Sequence, residues 1–170
     1  MPKGLKETSS IIVVGASVTE SGANTFTQSR VDLQLNPLDN EVFVVTGIDI
    51  DVSAPDAVAG ADSAMIFALT TTSQTAMPSL ANTNCMARKS LNIRAAGFAD
   101  GGVSFQESAG DTPPATLDYL AIIATNDFFL QIQGAGNGGA KSGACKVYGY
   151  RARADSAVYA ALVQSEVLSA

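Results

Sequence analysis

The chain has 170 residues, 46% of them hydrophobic and only 15% charged, with a net charge of −6 and no histidine. That size and apolar content suit one domain with a sizeable core and exclude wholesale disorder. Without histidine, Ser-His-Asp and Cys-His catalysis within one chain are excluded, and the commonest transition-metal ligand is gone; Ser-Lys and carboxylate chemistry stay open.

Residues 1–8 read as a flexible polar arm in which Lys3 and Lys6 are too few to form a basic nucleic-acid arm. The apolar run from Ile11 to Val18 follows Glu7, Thr8, Ser9 and Ser10, a poor match to a secretory signal, so synthesis in the host cytoplasm without a signal peptide is expected. Ile11 to Ser17 reads as a first strand or as an extended arm laid across a neighbour. From Thr25 to Leu35, Val31, Leu33 and Leu35 alternate with Arg30, Asp32 and Gln34, the period of a half-buried strand. Turn residues span Asn36 to Asn40. Glu41 to Val52 is a second strand, its Ile48, Ile50 and Val52 inward and its Asp49 and Asp51 outward; Gly47 suggests a bulge or bend.

A loop with Pro55 and Gly60 leads into a third strand, Ser63 to Thr71, with Met65, Phe67 and Leu69 on one face. Thr72 to Asn84 is polar and turn-rich. Met86 to Phe98 mixes helix formers with the alternation of Leu91, Ile93 and Ala95, and Ser90 to Ala95 is read as a strand. A short strand is expected at Val103 to Glu107, then a loop containing Pro113 and Pro114. Three consecutive antiparallel strands follow between Leu117 and Asp155, separated by Asn126-Asp127 and by the Gly-rich segment Gly134 to Gly139. In the second of them Phe128, Leu130 and Ile132 face one way and Phe129, Gln131 and Gln133 the other. The Gly-rich segment is followed by a strand and not by a helix, so it reads as a mobile hairpin loop and not as a phosphate cradle.

From Ser156 the period changes. Tyr159, Leu162, Val163 and Val167 form a helical stripe, with Asp155 or Ser156 as N-cap. A helix of about three turns is marginal alone and needs its own sheet or a neighbouring subunit to pack on; those four residues are the candidate subunit contact. Residues 1–8, 9–155 and 156–170 are thus expected as arm, β-sandwich and C-terminal helix of one domain. Many short strands with Gly- and Pro-rich turns point to an all-β, antiparallel two-sheet sandwich of about eight strands, of jelly-roll type.

Candidate chemistry is sparse. Asp49 and Asp51 put two carboxylates on one strand face, with Asp56 in the next loop: a weak candidate for Ca²⁺ or an acid–base pair, against the commoner solvated face. Tyr148 and Tyr150 share a face, as in an aromatic carbohydrate platform, though cross-strand packing is the ordinary role of such rings. Cys85 and Cys145 read as two small buried hydrophobes or, in an oxidising setting, a disulfide. No catalytic residue and no cofactor is assigned. The ten basic residues are scattered, so direct nucleic-acid binding is not expected. No apolar stretch approaches the ~20 residues of a membrane span.

Sparse charge and a surface rich in Ala, Ser, Thr and Gly favour self-association, because interface cores are depleted in Lys, Glu and Asp. The polar start MPKGLKETSS, the strand count, that surface and the ending VYGYRARADSAVYAALVQSEVLSA together resemble small single jelly-roll capsid proteins of environmental bacterial or archaeal viruses. The resemblance implies a virion protein that assembles with itself and with other virion proteins in a shell or decoration layer. Many such subunits carry a strongly basic N-terminal arm, which this chain lacks; genome retention would then fall to another component. The alternative is a lectin-like or adhesive carbohydrate-binding β-sandwich.

Overall fold

The protein is described here from a computed structural model over residues 2–97, 105–109 and 117–168. Ten strands are described: β1 (Leu5–Glu7), β2 (Ile12–Thr19), β3 (Thr27–Asp32), β4 (Glu41–Val52), β5 (Ser63–Thr70), β6 (Cys85–Arg94), β7 (Phe105–Ala109), β8 (Ala121–Ile123), β9 (Asp127–Ala135) and β10 (Ser142–Ala154). One helix, α1 (Ser156–Leu168), closes the chain. Every pairing is antiparallel.

One sheet runs β2-β10-β4-β8, with β1 beside the far end of β10; the other runs β3-β9-β5-β6-β7. The pairs β2·β10, β3·β9, β4·β8 and β5·β6 are successive rungs of one long antiparallel ribbon rolled into two facing sheets. That is the jelly-roll order, so the expected class holds. Between the sheets lies a core led by Phe43, Val45, Phe67, Leu69, Phe128, Leu130, Ile132 and Val147, each no more than 2% exposed. Most of these come from the period-two runs of the sequence, as half-buried sheets require.

Gly47 marks the bulge it suggested. Tyr148 pairs with Gly47 but Gly149 pairs with Val45, so Thr46 is an extra residue in β4. The inserted residue reverses the parity of the strand. Phe43 and Val45 face the core before it, Ile48, Ile50 and Val52 after it. The outer face of β4 is therefore apolar at one end (Val42, Val44) and acidic at the other (Asp49, Asp51).

Helix α1 covers the apolar end. Val158, Tyr159, Leu162 and Val163 pack with Leu5, Val42, Val44, Ala124, Ala152 and Ala154 in a second, smaller core. Asp155 is the N-cap, its Oδ1 accepting from the Val158 N–H at 2.8 Å.

Several expectations shift. Leu5–Glu7, expected in a flexible arm, is a strand, because Leu5 finds an apolar site under α1 opposite Ala154. β6 begins at Cys85, not Ser90: its helix formers are overridden by pairing with β5 along its whole length. β3 stops at Asp32, yet Leu33 and Leu35 remain buried, their N–H groups donating to the main-chain and side-chain oxygens of Asn126. The start expected for the following strand, at Val103, and the loop with Pro113 and Pro114 lie outside the described residues.

Candidate functional site

The open half of the outer β2-β10-β4 face holds three of the residues singled out from sequence, Asp49, Asp51 and Tyr148. Its cross-strand rows are Val13–Tyr148–Gly47, Gly15–Lys146–Asp49 and Ser17–Ala144–Asp51. Small residues at Gly15, Ser17 and Ala144 floor a hollow of about 520 Å³ walled by Asp49, Asp51 and Lys146. The Tyr148 hydroxyl donates to Asp49 Oδ2 at 3.0 Å, and this bond raises the tyrosine pKa, since losing the proton would set two negative charges together. Both aspartates are exposed.

Asp56 does not join them. It accepts from the Gly138 N–H at 2.9 Å and from Lys141 Nζ, and the lysine bond, then the backbone bond, holds its carboxyl below the usual range. Among the described residues no three of His, Cys, Asp and Glu come together as a metal site. Asp49 and Asp51 alone offer two carboxylates, where Ca²⁺ takes six to eight oxygens.

Tyr148 and Tyr150 share the outer face of β10, as expected, but lie on different halves of it. Tyr148 stays on the open half, while Tyr150 is half-buried in the second core, its pKa raised by that burial and by Glu7 and Asp118. One ring is left beside the hollow where a platform needs at least two.

The Gly-rich segment is a fixed corner, not the mobile loop expected. Glu20, 4% exposed, accepts from the Gly134 N–H at 2.7 Å and the Lys141 N–H at 2.9 Å, clamping both ends. Asn24 and Asn137 bond reciprocally, Asn24 Nδ2 to the Asn137 carbonyl and the Asn137 N–H to Asn24 Oδ1. Asn137 Oδ1 accepts the Asp56 N–H. Gly136 sits at φ +67, and a Cβ there would strike the Asp62 carbonyl. Asp62 in turn gathers the Ala95 and Ala96 N–H groups, each at 2.9 Å, and Arg94; these bonds depress its pKa.

Three further polar side chains escaped sequence reasoning. Glu20 lies in an unpatterned turn and gave no signal. Gln131, read as outward, is fully buried beneath the 71–84 loop, its Nε2 donating to Gln28 Oε1 and Thr70 Oγ1. Glu166 is buried on α1 and accepts from the Ala124 and Thr125 N–H groups at 3.0 Å each; burial, above all, raises its pKa. Of the four candidate contact residues, Tyr159, Leu162 and Val163 face their own sheet, and Val167 is 61% exposed.

Both cysteines are free thiols. Cys145 lies in the main core and burial pushes it up to about 11; Cys85 is raised by the same cause. Among the described residues no helix is long and apolar enough to cross a membrane.

Five of the ten basic residues form ion pairs: Arg30 with Asp127, Arg94 with Asp62, Lys141 with Asp56, Arg151 with Glu41 and Arg153 with Asp39. Comparison of the chain with protein-family models, curated proteins and solved structures returned no match.

Proposed function

We propose that this chain is a virion structural protein, a jelly-roll subunit that assembles with itself and with other virion proteins in a shell or decoration layer. The observation that carries the reading is the strand order, β2-β10-β4-β8 against β3-β9-β5-β6, an architecture that recurs in viral capsids and lectins. Fold alone does not choose between those roles. The surface favours assembly: charged residues are 15% of the chain, well under the ~25% of an average soluble domain. Five of the ten basic residues are engaged in the ion pairs above, which supports a reading in which another component holds the genome.

The test is quantitative mass spectrometry of particles purified from producing cells. A structural subunit is expected at many copies per particle, in constant ratio to the other particle proteins. A protein found only in the soluble fraction would remove the reading. Glycan-array binding lost on Tyr148→Ala would transfer it to the lectin-like alternative.

A further inference from the structure

Strand β2 is an edge of its sheet, and its composition sets it apart from the other described edges. It pairs with β10 on one side, and among the described residues nothing pairs with the other. Every second residue of such a strand turns its N–H and C=O outward, a template for another strand. Edges are ordinarily blunted by charge, proline or shortness. β3 carries Arg30 and Asp32, and β8 is three residues long. β2 has none of these devices: IVVGASVT runs eight residues without a charge or a proline.

The strand is also graded along its length. Its N-terminal end is bulky, with Val13 52% exposed on the outer face and Ile11, the residue just before the strand, 68% exposed; its C-terminal end is small on that face, with Gly15 and Ser17. A Cβ built on Gly15 meets nothing within 4 Å, and the 520 Å³ hollow opens there.

We infer that β2 pairs antiparallel with β2 of a second copy of this chain, across a two-fold axis normal to the sheet. Such an axis keeps the outer face outward in both copies, and odd residues therefore meet odd residues. Antiparallel pairing sets the bulky end of each strand against the small end of the other. Centred on Val14, it places Val13 beside the second copy's Gly15 and Ile11 beside its Ser17, so that the exposed side chains of each copy reach over the hollow of the other. Parallel pairing would stack bulk on bulk and leave both hollows open. The neutrality of the strand matters equally, because a chain of net charge −6 associates with itself most readily through an uncharged surface. The contact is isologous and closes at two copies. It deepens the virion reading by naming one contact within the assembly, and it rests on that reading only for its biological setting.

The test compares the full chain with Ile11→Lys/Val13→Lys by sedimentation over a concentration series, with thermal unfolding of both to confirm the fold. Leu80→Lys, at a residue 69% exposed on the 71–84 loop, is the control for added charge. The wild type and Leu80→Lys are expected at twice the 17.4 kDa chain mass or in multiples of that pair, and the double variant at the single-chain mass with its melting unchanged. A monomeric wild type, or a double variant that keeps the wild-type mass, would overturn the pairing. Larger particles that survive the double substitution would sink this contact while leaving the virion reading standing. A dimer abolished by it, with no larger particle formed, would uphold the contact and count against that reading.

Discussion

Glu20 shows how much one side chain can decide in this molecule. Its carboxylate is buried and satisfied by two backbone N–H groups that bracket the 134–141 corner. Removing it strands both donors, and hydrogen bonds to charged groups contribute about 1.5–3 kcal/mol each. Glu20→Ala is expected to cost about 2–4 kcal/mol in urea unfolding. Glu20→Gln should cost less, because a carboxamide keeps one acceptor oxygen. Asp62 makes a different, pH-dependent contribution. Its folded pKa lies below its ordinary 3.8, so its stabilisation is present above that value and is lost as pH falls through the depressed one. The stability gap between wild type and Asp62→Asn should therefore be fully open at pH 7 and narrow as pH falls below 3.8; a gap that does not change across that range would contradict the geometry. Glu166 has the opposite sign. Burial raises its pKa above the ordinary 4.5, so its contribution is complete below that pH and declines as pH rises. Glu166→Gln should gain on the wild type between pH 4 and pH 7, measured by the same unfolding series. None of these three residues was legible beforehand. A buried polar side chain is defined by what folds over it, and no local pattern carries that information.

At the scale of elements, periodicity did most of the work. The alternations Ile48-Ile50-Val52, Met65-Phe67-Leu69 and Phe128-Leu130-Ile132 named core faces of β4, β5 and β9, and the change of period at Ser156 placed the helix. The misses have physical causes. Leu5 is a single apolar residue in a polar segment, and only the second core gives it a reason to pair. The helical stripe was drawn through Val167, but two full turns from Tyr159 lead to Glu166, whose polarity concealed its place on the buried face. Leu162→Ala should accordingly cost about 1–2 kcal/mol, whereas Val167→Ala should stay within about 0.5 kcal/mol. Equal effects would place the helix on the wrong face. Gly143 tests the main core in the same way. Its Cβ would lie 2.5 Å from Phe67 Cδ2, and Phe67 is fully buried. Gly143→Ala should destabilise by about 1–3 kcal/mol through overpacking, read as a lower midpoint in denaturant.

The described residues form a rolled antiparallel ribbon with one outer half-face capped by its own helix and the other uncovered by any described residue. The architecture was readable from strand spacing and turn chemistry. Which half-face would be covered was not, because it depends on the single extra residue, Thr46, that exchanges apolar for acidic side chains along β4. The virion reading belongs to this scale as well, since assembly is a property of surfaces and not of any one side chain. Electron microscopy of the purified full-length protein tests it most directly. Closed shells, sheets or rings of regular subunits are the expected result, and a field of dispersed single subunits at every concentration and salt condition would contradict it.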